Sequence, residues 1–438
     1  MAAQFPVNIF LIFGLSAIRV NGDVQLHDSC RQFSTELINA TAFKLYKSNV
    51  AVSPYSIWSA MFSVALAANS TTAKEVYKVL RLPKESDHTL IKGHRNLNDQ
   101  LLKMDSCHSD SVSIMNRNYV FSQNDFQMNP LFDAITTFGI GMESQTLCFN
   151  DTETAARLAN DFISSSGFKS EIMLTSGFFS KSKMVMNSQA TFKASWKLRF
   201  EVLDTTIEPF YNENGNIINE VHMMRQRNRF AFSHIKEMDA FVLELPYGPD
   251  GKYCMLIVLP SPGRFITEVY RKLMKLSLVN IMDRLGKDTQ NFGLENIEVR
   301  IPRFEIKTYL ESSLDTALTK MGMSEIFDWE LADFSRLTEE WVYVSTVDHY
   351  ASVHVNESGA VASSGTTVVF VDTLDKTTSD SGGGGRSSAT ENPIYSPGFI
   401  ANRPFIYLVI EKNTKSIMYG GAYGELTEEC LVYKEHFL

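Results

Sequence analysis

The sequence predicts one large domain of mixed helices and strands, and three observations carry that expectation. Stretches with apolar residues at helical spacing and stretches with apolar residues at alternate positions are interspersed along the chain. The 438 residues are 44% hydrophobic and 11% aromatic, enough for a sizeable core. No Pro-, Gly- or Ser-rich linker divides the chain before Thr377 and no repeat of solenoid length occurs, so one domain is expected where length alone would suggest two or three. A net charge of −9 with no long basic run argues against nucleic acid as the main partner.

At the N-terminus, Phe5 to Ile18 is almost wholly apolar, and Val20-Asn21-Gly22 precedes Asp23. This reads as a secretory signal over residues 1–22, leaving a single domain over 23–438, although no Lys or Arg precedes the apolar run. The run is shorter than the ~20 apolar residues a bilayer needs, and no other membrane span is found. A secreted, extracellular protein is expected, and the tripeptides at Asn39, Asn69, Asn150 and Asn356 then read as N-glycosylation acceptors. Cys30, Cys107, Cys148, Cys254 and Cys430 are too few for a disulfide scaffold and wrongly spaced for zinc. Their odd number leaves at least one thiol unpaired unless it bridges another chain.

Phe33, Leu37, Thr41 and Leu45 form one stripe of a helix. A short strand from Asn49 follows, stopped by Pro54, with Ser56 placed to cap a helix carrying Trp58, Met61, Phe62, Ala65 and Leu66. Leu80 to Ser106 reads as helices joined by loops, its scattered basic residues forming a solvated face. Val112 to Phe121 alternates as a strand, and Asp151 can cap a helix whose Ala155, Leu158, Ala159, Phe162 and Ile163 share a face. Met184 to Trp196 should be a core strand. Phe241 to Tyr247 and Met255 to Pro260 should be paired strands around the turn Gly248-Pro249-Asp250-Gly251. Leu310 to Met321 reads as helical, and Val347 to Val355 as a strand presenting Val347, His349, Ala351 and Val353 on one face.

Between Asn356 and Phe405 the composition changes several times. Small residues from Gly359 to Gly365 lead into a strand-like Thr366 to Val371, and nothing forbids this lead-in from entering a sheet. Asp372 to Thr390, with four consecutive glycines at 382–385, cannot bury enough apolar surface to offset its ordering entropy and should be an exposed loop open to proteases. A buried-looking Phe405 to Ile410 follows.

Several of these stretches, in order, resemble the serpin family. Asn49 to Ile57 resembles the segment that runs beneath the main serpin sheet into the region called the shutter. Asn160-Asp161-Phe162 through Gly167 is similar to the end of a serpin helix, and Phe192-Lys193-Ala194-Ser195-Trp196 to the Phe-Lys-Gly-X-Trp at the top of that sheet. Leu243-Glu244-Leu245-Pro246-Tyr247, Leu259-Pro260, Val299 to Phe304, Leu331 to Ser335 and Asn402 to Gly420 match further family patterns. The resemblance runs from about Phe33 to Gly420. It implies an α+β fold with a large central β-sheet, two smaller sheets, about nine surrounding helices and an exposed reactive-centre loop over about 357–400. It assigns Ser53, Ser56, Asn187, Trp196 and His349 to the shutter and breach. One departure stands out: the family's asparagine eight residues before the tryptophan is here Ser188, with Asn187 beside it, so the strand carries a one-residue bulge or the shutter bonding is altered.

The resemblance also implies a serine protease inhibitor that acts as a suicide substrate. The protease's serine forms an acyl bond with the loop, and the loop from Gly359 inserts into the main sheet before water resolves that bond. Glu357 and Gly359 match the inhibitory hinge, and Ala360, Val361, Ala362, Ser363 and Ser364 occupy its small-residue run, with Val361 replacing a frequent glutamate. The family's spacing from the hinge glutamate places the reactive bond at Thr373-Leu374. Counting back from Phe405 gives Pro393 instead, so the loop is about twenty residues longer than usual. Tether geometry favours the first: a strand from Gly359 to Thr373 spans ~46 Å, whereas one to Arg386 would span ~89 Å and leave slack. The trapping bond is therefore expected between Phe370 and Lys376, and Arg386 is read as a nick site. Phe370 or Leu374 would suit chymotrypsin-like or elastase-like enzymes, and Lys376 a trypsin-like one.

No nucleophile elbow, zinc helix, phosphate loop or EF-hand loop is present, and the glycine run lacks a following Gly-Lys-Ser/Thr. No enzymatic activity, cofactor or metal is expected. The expected partner is a target serine protease held in a covalent complex by a monomeric inhibitor. The alternative is a non-inhibitory serpin serving as a carrier or chaperone-like binding protein.

Overall fold

The computed structural model describes residues 26–41, 49–102, 111–165, 173–310, 312–372 and 398–424. Two sheets organise them. The main sheet has six strands in the order β10 (Phe304–Leu310), β11 (Val342–Asn356), β12 (Gly359–Asp372), β4 (Ser182–Ser195), β2 (Val112–Gln123) and β3 (Glu143–Leu147). All neighbours are antiparallel except β2 and β3. A nine-stranded sheet runs β1 (Val50–Val52), β15 (Ser416–Tyr423), β14 (Phe405–Glu411), β8 (Tyr253–Pro260), β7 (Ala240–Tyr247), β6 (Ile217–Ile235), β9 (Glu295–Pro302) and β13 (Gly398–Ile400), with β5 (Thr206–Tyr211) also on β6. The two smaller sheets are thus joined: the 19-residue β6 pairs with β9 through Met223–Phe230 and with β7 through Ala231–Ile235.

Nine α-helices lie among the described residues. Between the sheets runs α2 (Pro54–Ala67), every residue of which is buried, following α1 (26–41). An apolar surface all round is what a core helix requires. Its cap is Ser53, whose hydroxyl accepts from Ser56 N, with Pro54 at the first helical position. Ser56 is therefore not the cap. It lies inside the first turn and its side chain faces the main sheet. Among the described residues, 80–102 hold one long helix, α4 (Asp87–Leu102), after α3 (Ser70–Val79). The short α5 (Pro130–Ala134) precedes β3, and the outer face of β2 and β4 is covered by α6 (Thr152–Ser165), started by Asp151 as expected: its carboxylate accepts from Thr154 N at 3.1 Å. Behind β7 and β8 pack α7 (Ile266–Leu276) and α8 (Leu278–Phe292); α9 (Ser312–Met321) follows β10, which occupies the first residue of the stretch expected to be helical.

The 240–260 hairpin forms around Gly248 and Gly251, both at φ above +60° (63° and 66°), a region glycine enters without strain. Gly421 answers to a different constraint: a Cβ there would sit 1.8 Å from the carbonyl oxygen of Val50 in β1. Gly421→Ala should push β1 off β15 and cost about 1–3 kcal/mol. Thermal unfolding of the variant checks this; an unchanged melting temperature would contradict it.

Candidate functional site

The sequence places small and β-compatible residues from Gly359 to Val371, and the structure runs them as one strand, β12, between β11 and β4. Its pairing with β4 is continuous from Gly359 opposite Ser195 to Phe370 opposite Met184, and on the other side Asn356 faces Gly359 and Val342 faces Asp372. Because β12 is antiparallel to both neighbours, β11 and β4 run parallel to each other and are bridged only through it. Side chains alternate across it. Ala360, Ala362, Val368 and Phe370 enter the core beneath the sheet, Phe370 meeting Phe334 edge-on at 5.1 Å. On the opposite face Val361 is 45% exposed, whereas Val369 lies under the aromatic cluster of α6. The hinge residues thus form the near half of the strand, covered on one face only, and the far half is covered on both.

Gly359 meets the same close-approach constraint as Gly421. A Cβ there would stand 1.9 Å from Ala194 O, so the start of β12 admits no side chain beside β4. The turn before it is held from several sides. Asn356 Oδ1 accepts from Ser358 N and Gly359 N, and Asn356 O accepts from Trp196 Nε1 at 2.8 Å. Trp196 stacks on Tyr247 with centroids 4.4 Å apart, and its backbone N–H donates to Ser358 O. Glu357, 5% exposed, accepts from Arg303 Nη2 at 2.5 Å and Thr205 Oγ1 at 2.7 Å. Burial disfavours its charged form, but these hydrogen bonds outweigh burial and hold the carboxyl below its ordinary range. Arg303 and Thr205 were not singled out in the sequence, where nothing marks them as partners of a residue over fifty positions away.

Midway along β12 lies a buried polar network. His349 Nε2 accepts from Ser53 N at 3.0 Å, so Nδ1 carries the proton and donates to Thr366 Oγ1 at 2.8 Å. Thr366 also contacts Ser56 Oγ at 3.2 Å, and Ser56 donates to Ser188 at 3.4 Å. Ser53 Oγ donates to Met418 O. Ser53, Ser56 and His349 are therefore brought together, and Thr366, supplied by β12, is the partner that His349 and Ser56 share. Asn187 reaches this network only through the Thr366 carbonyl, to which its Nδ2 donates at 3.5 Å. The strand is not bulged between Met184 and Ser195, so Ser188 points down toward Ser56 while Asn187 points to the opposite face, donating to Thr367 Oγ1 at 2.9 Å. The altered-bonding alternative describes this chain.

The remaining assigned positions are dispersed. Thr373, Leu374, Lys376 and Arg386 lie outside the described residues. Asn150 and Asn69 are exposed, Asn69 donating to Ser335 Oγ; Asn39 is half-buried on α1, and Asn356 sits in the hinge turn. Cys30 and Cys254 are buried free thiols and Cys148 is an exposed one; Cys107 and Cys430 lie outside the described residues. Among the described residues no group of three or more His, Cys, Asp or Glu could hold a metal ion, and no helix is long and apolar enough to cross a membrane.

The main sheet takes the segment that directly follows β11 as a full-length central strand, above a buried hydroxyl and imidazole network. A family profile described as Serpin (serine protease inhibitor) matches residues 28–425, and the chain belongs to the serpin family. It is 25% identical to Serine protease inhibitor 88Ea of Drosophila melanogaster, over 92% of this chain and 91% of that one. It is 27% identical to Leukocyte elastase inhibitor of Xenopus tropicalis, over 91% and 99%. Cleaved Serpin 42Da shares the fold with a TM-score of 0.77 at 23% identity, over 93% of this chain and all of that one (100%). A thermophilic serpin, Tengpin, in the latent state, has a TM-score of 0.70 at 20% identity, over 92% and 98%.

Burial pushes the His349 imidazolium down to about 3, and protonating Nε2 would also break the bond from Ser53 N. The unfolded chain then binds a proton below pH ~6.5 that the folded chain refuses, so this contribution to stability is complete above that pH and is lost as pH falls toward 3. His94, lowered by burial to about 4, acts in the same direction. Asp315, raised by burial to about 6, acts oppositely: its contribution is complete below its ordinary value and lost as pH rises through 6. Unfolding free energies of the parent and His349→Gln, compared across pH, isolate the histidine. The parent should lose on the order of 2–3 kcal/mol more than the variant over ~two pH units below 6.5. Parallel profiles would contradict the role given to His349.

Proposed function

We propose that this serpin is a secreted inhibitor of a serine protease, acting as a suicide substrate whose cut loop enters the main sheet and carries the acylated protease with it. The observation that carries the reading is β12 itself, which fits between β11 and β4 along its whole length with no charged residue or proline between Gly359 and Val371. Its last paired residue, Asp372, lies one position before Thr373, which supports Thr373-Leu374 as the trapping bond. A cut after Phe370 would end the inserted strand within the ladder, at a side chain already packed on Phe334. Lys376 would leave three residues of slack, and Arg386 far more.

The driving force follows from the sheet. Insertion adds a ladder on each side of a segment that otherwise satisfies its backbone with water, and buries Val368 and Phe370, each contributing on the order of 1.5–3 kcal/mol. It also replaces a parallel juxtaposition of β11 and β4 with two antiparallel ones, the better pairing. A protein folded without β12 in place would hold that free energy in reserve. The apolar N-terminal stretch and the exposed sequons at Asn69 and Asn150 support secretion and glycosylation, and the relatives named as inhibitors support a protein that acts on a protease.

Incubation with trypsin, chymotrypsin and elastase separately should give an SDS-resistant adduct with at least one, and a released peptide beginning between Val371 and Thr377. Cleavage after Arg386 with no adduct for any enzyme would favour the carrier or chaperone-like alternative. The alternation of β12 yields a sharper pair of variants. Ala362 is 1% exposed and faces Val353 and Phe192, so Ala362→Glu buries an unpaired charge and should cut the ratio of trapping to turnover by on the order of a hundredfold. Val361 is exposed opposite Lys193, so Val361→Glu gains an opposite-charge neighbour and should trap within about twofold of the parent. Equal loss in both variants would refute insertion in this register.

A further inference from the structure

We infer, resting on the secretory reading above, that Asn356 carries an N-linked glycan on the open face of the main sheet while β12 occupies its full length, so that modification of the hinge turn and insertion of the strand coexist. The two ends of one side-chain amide carry the inference. Asn356 opens the tripeptide Asn356-Glu357-Ser358 and is the last residue of β11, paired with Gly359 across the turn. Its Oδ1 is taken up by the turn, accepting from Ser358 N at 3.0 Å and Gly359 N at 3.2 Å. Its Nδ2, the atom that takes a sugar, is neither buried nor hydrogen-bonded, and Ser358, the third residue of the tripeptide, is exposed. Glycan transfer forms a bond from Nδ2 to the anomeric carbon of a lipid-linked oligosaccharide as the bond from that carbon to the lipid's diphosphate breaks. One amide proton leaves, and the lipid diphosphate departs. The product keeps Oδ1, so both hydrogen bonds that shape the turn survive the modification.

Strand alternation sets the direction of the glycan. Val353 and Val355 are buried in the core, so His354 and Asn356 stand on the opposite face. That face is open at this end: Val361, opposite His354, is half-exposed, and Lys193, opposite Val361, is exposed. A bulky hydrophilic group attached there stays in water, where burying it would cost its hydration. Val361 is a diagonal cross-strand neighbour of Asn356 at ~7–8 Å, so the first sugar reaches over the one apolar side chain that the hinge run leaves exposed. Asn356 also belongs to the receiving strand β11, so nothing attached to it has to pass between β11 and β4 as β12 enters. The remaining tripeptides supply the reference. Asn69 and Asn150 are exposed on other surfaces, whereas Asn39 is half-buried with its Oδ1 shut in and without a partner.

Full-length protein expressed in a eukaryotic cell and mapped by glycopeptide mass tests the site. Asn356 should be occupied together with Asn69 or Asn150. Ser358→Ala destroys the acceptor tripeptide but keeps both turn bonds, whose donors are backbone N–H groups, and should lose that one glycan alone. Ser358→Thr, which rebuilds the tripeptide, should be occupied like the parent. After the loop is cut, amides of 359–372 in the glycosylated parent should exchange at rates within about twofold of those in Ser358→Ala. Occupancy at Asn69 or Asn150 with none at Asn356 overturns the inference and leaves the secretory reading standing, whereas no occupancy at any of the four overturns both. A glycan on Asn356 found only in molecules whose 359–372 stay unprotected after the cut, while Ser358→Ala gains protection, overturns the coexistence of glycan and strand.

Discussion

The rest of the structure depends on one backbone interaction, the double ladder that β12 makes with β11 and β4. Those two strands come from distant parts of the chain and run in the same direction, so they make an antiparallel sheet only through a third strand running against both. That strand is supplied by the segment immediately after β11, joined to it by the tight turn at Glu357-Ser358. The covalent neighbour of one flanking strand therefore becomes its hydrogen-bonding neighbour, at the cost of a connection from Asp372 back to β13. Side-chain chemistry follows from this geometry. Small residues occupy the near half of β12, where the Trp196 and Glu357 contacts crowd the entry, and bulkier Val368, Val369 and Phe370 occupy the far half, where α6 covers the sheet.

The polar network under the middle of the sheet gives the strand its register. Thr366 places a hydroxyl between His349 and Ser56, and a slip of one residue would bring Gly365 or Thr367 there with the wrong face or no hydroxyl. Such a network stabilises only if every member is satisfied, because a buried unpaired imidazole or hydroxyl costs free energy. With β12 in place, His349 has a partner on each nitrogen. Moving the asparagine to position 187 puts its amide on the other face, against Thr367, so β12 is gripped by hydrogen bonds from above and below at adjacent residues.

Much of this was legible in the sequence. The hairpin at 240–260 announces itself by two turn glycines between alternating strands, and the small-residue run at 359–365 by what it lacks. His349 is visible as a polar residue on an apolar strand face. The rest was hidden for physical reasons. Ser53 and Ser56 are equally good caps by residue type, and only the position of Pro54 at the first helical residue decides between them. Thr366 looks like any β-branched strand residue until its two neighbours are known, and Arg303 and Thr205 meet Glu357 only through the tertiary fold. Periodicity also cannot locate a strand that ends where a helix begins, as β10 does before α9.

The physical claim beneath all of this is that β12 in the sheet is the lower free-energy arrangement of the chain. Cutting the loop within residues 373–397 frees the strand from its covalent return path, so the most direct measurement compares the thermal unfolding of freshly folded uncut protein with that of the same preparation after cutting. A melting temperature raised by tens of degrees on cutting, with 359–372 newly protected from exchange, is the expected result. An unchanged melting temperature, with 359–372 still exchanging freely after the cut, would contradict it.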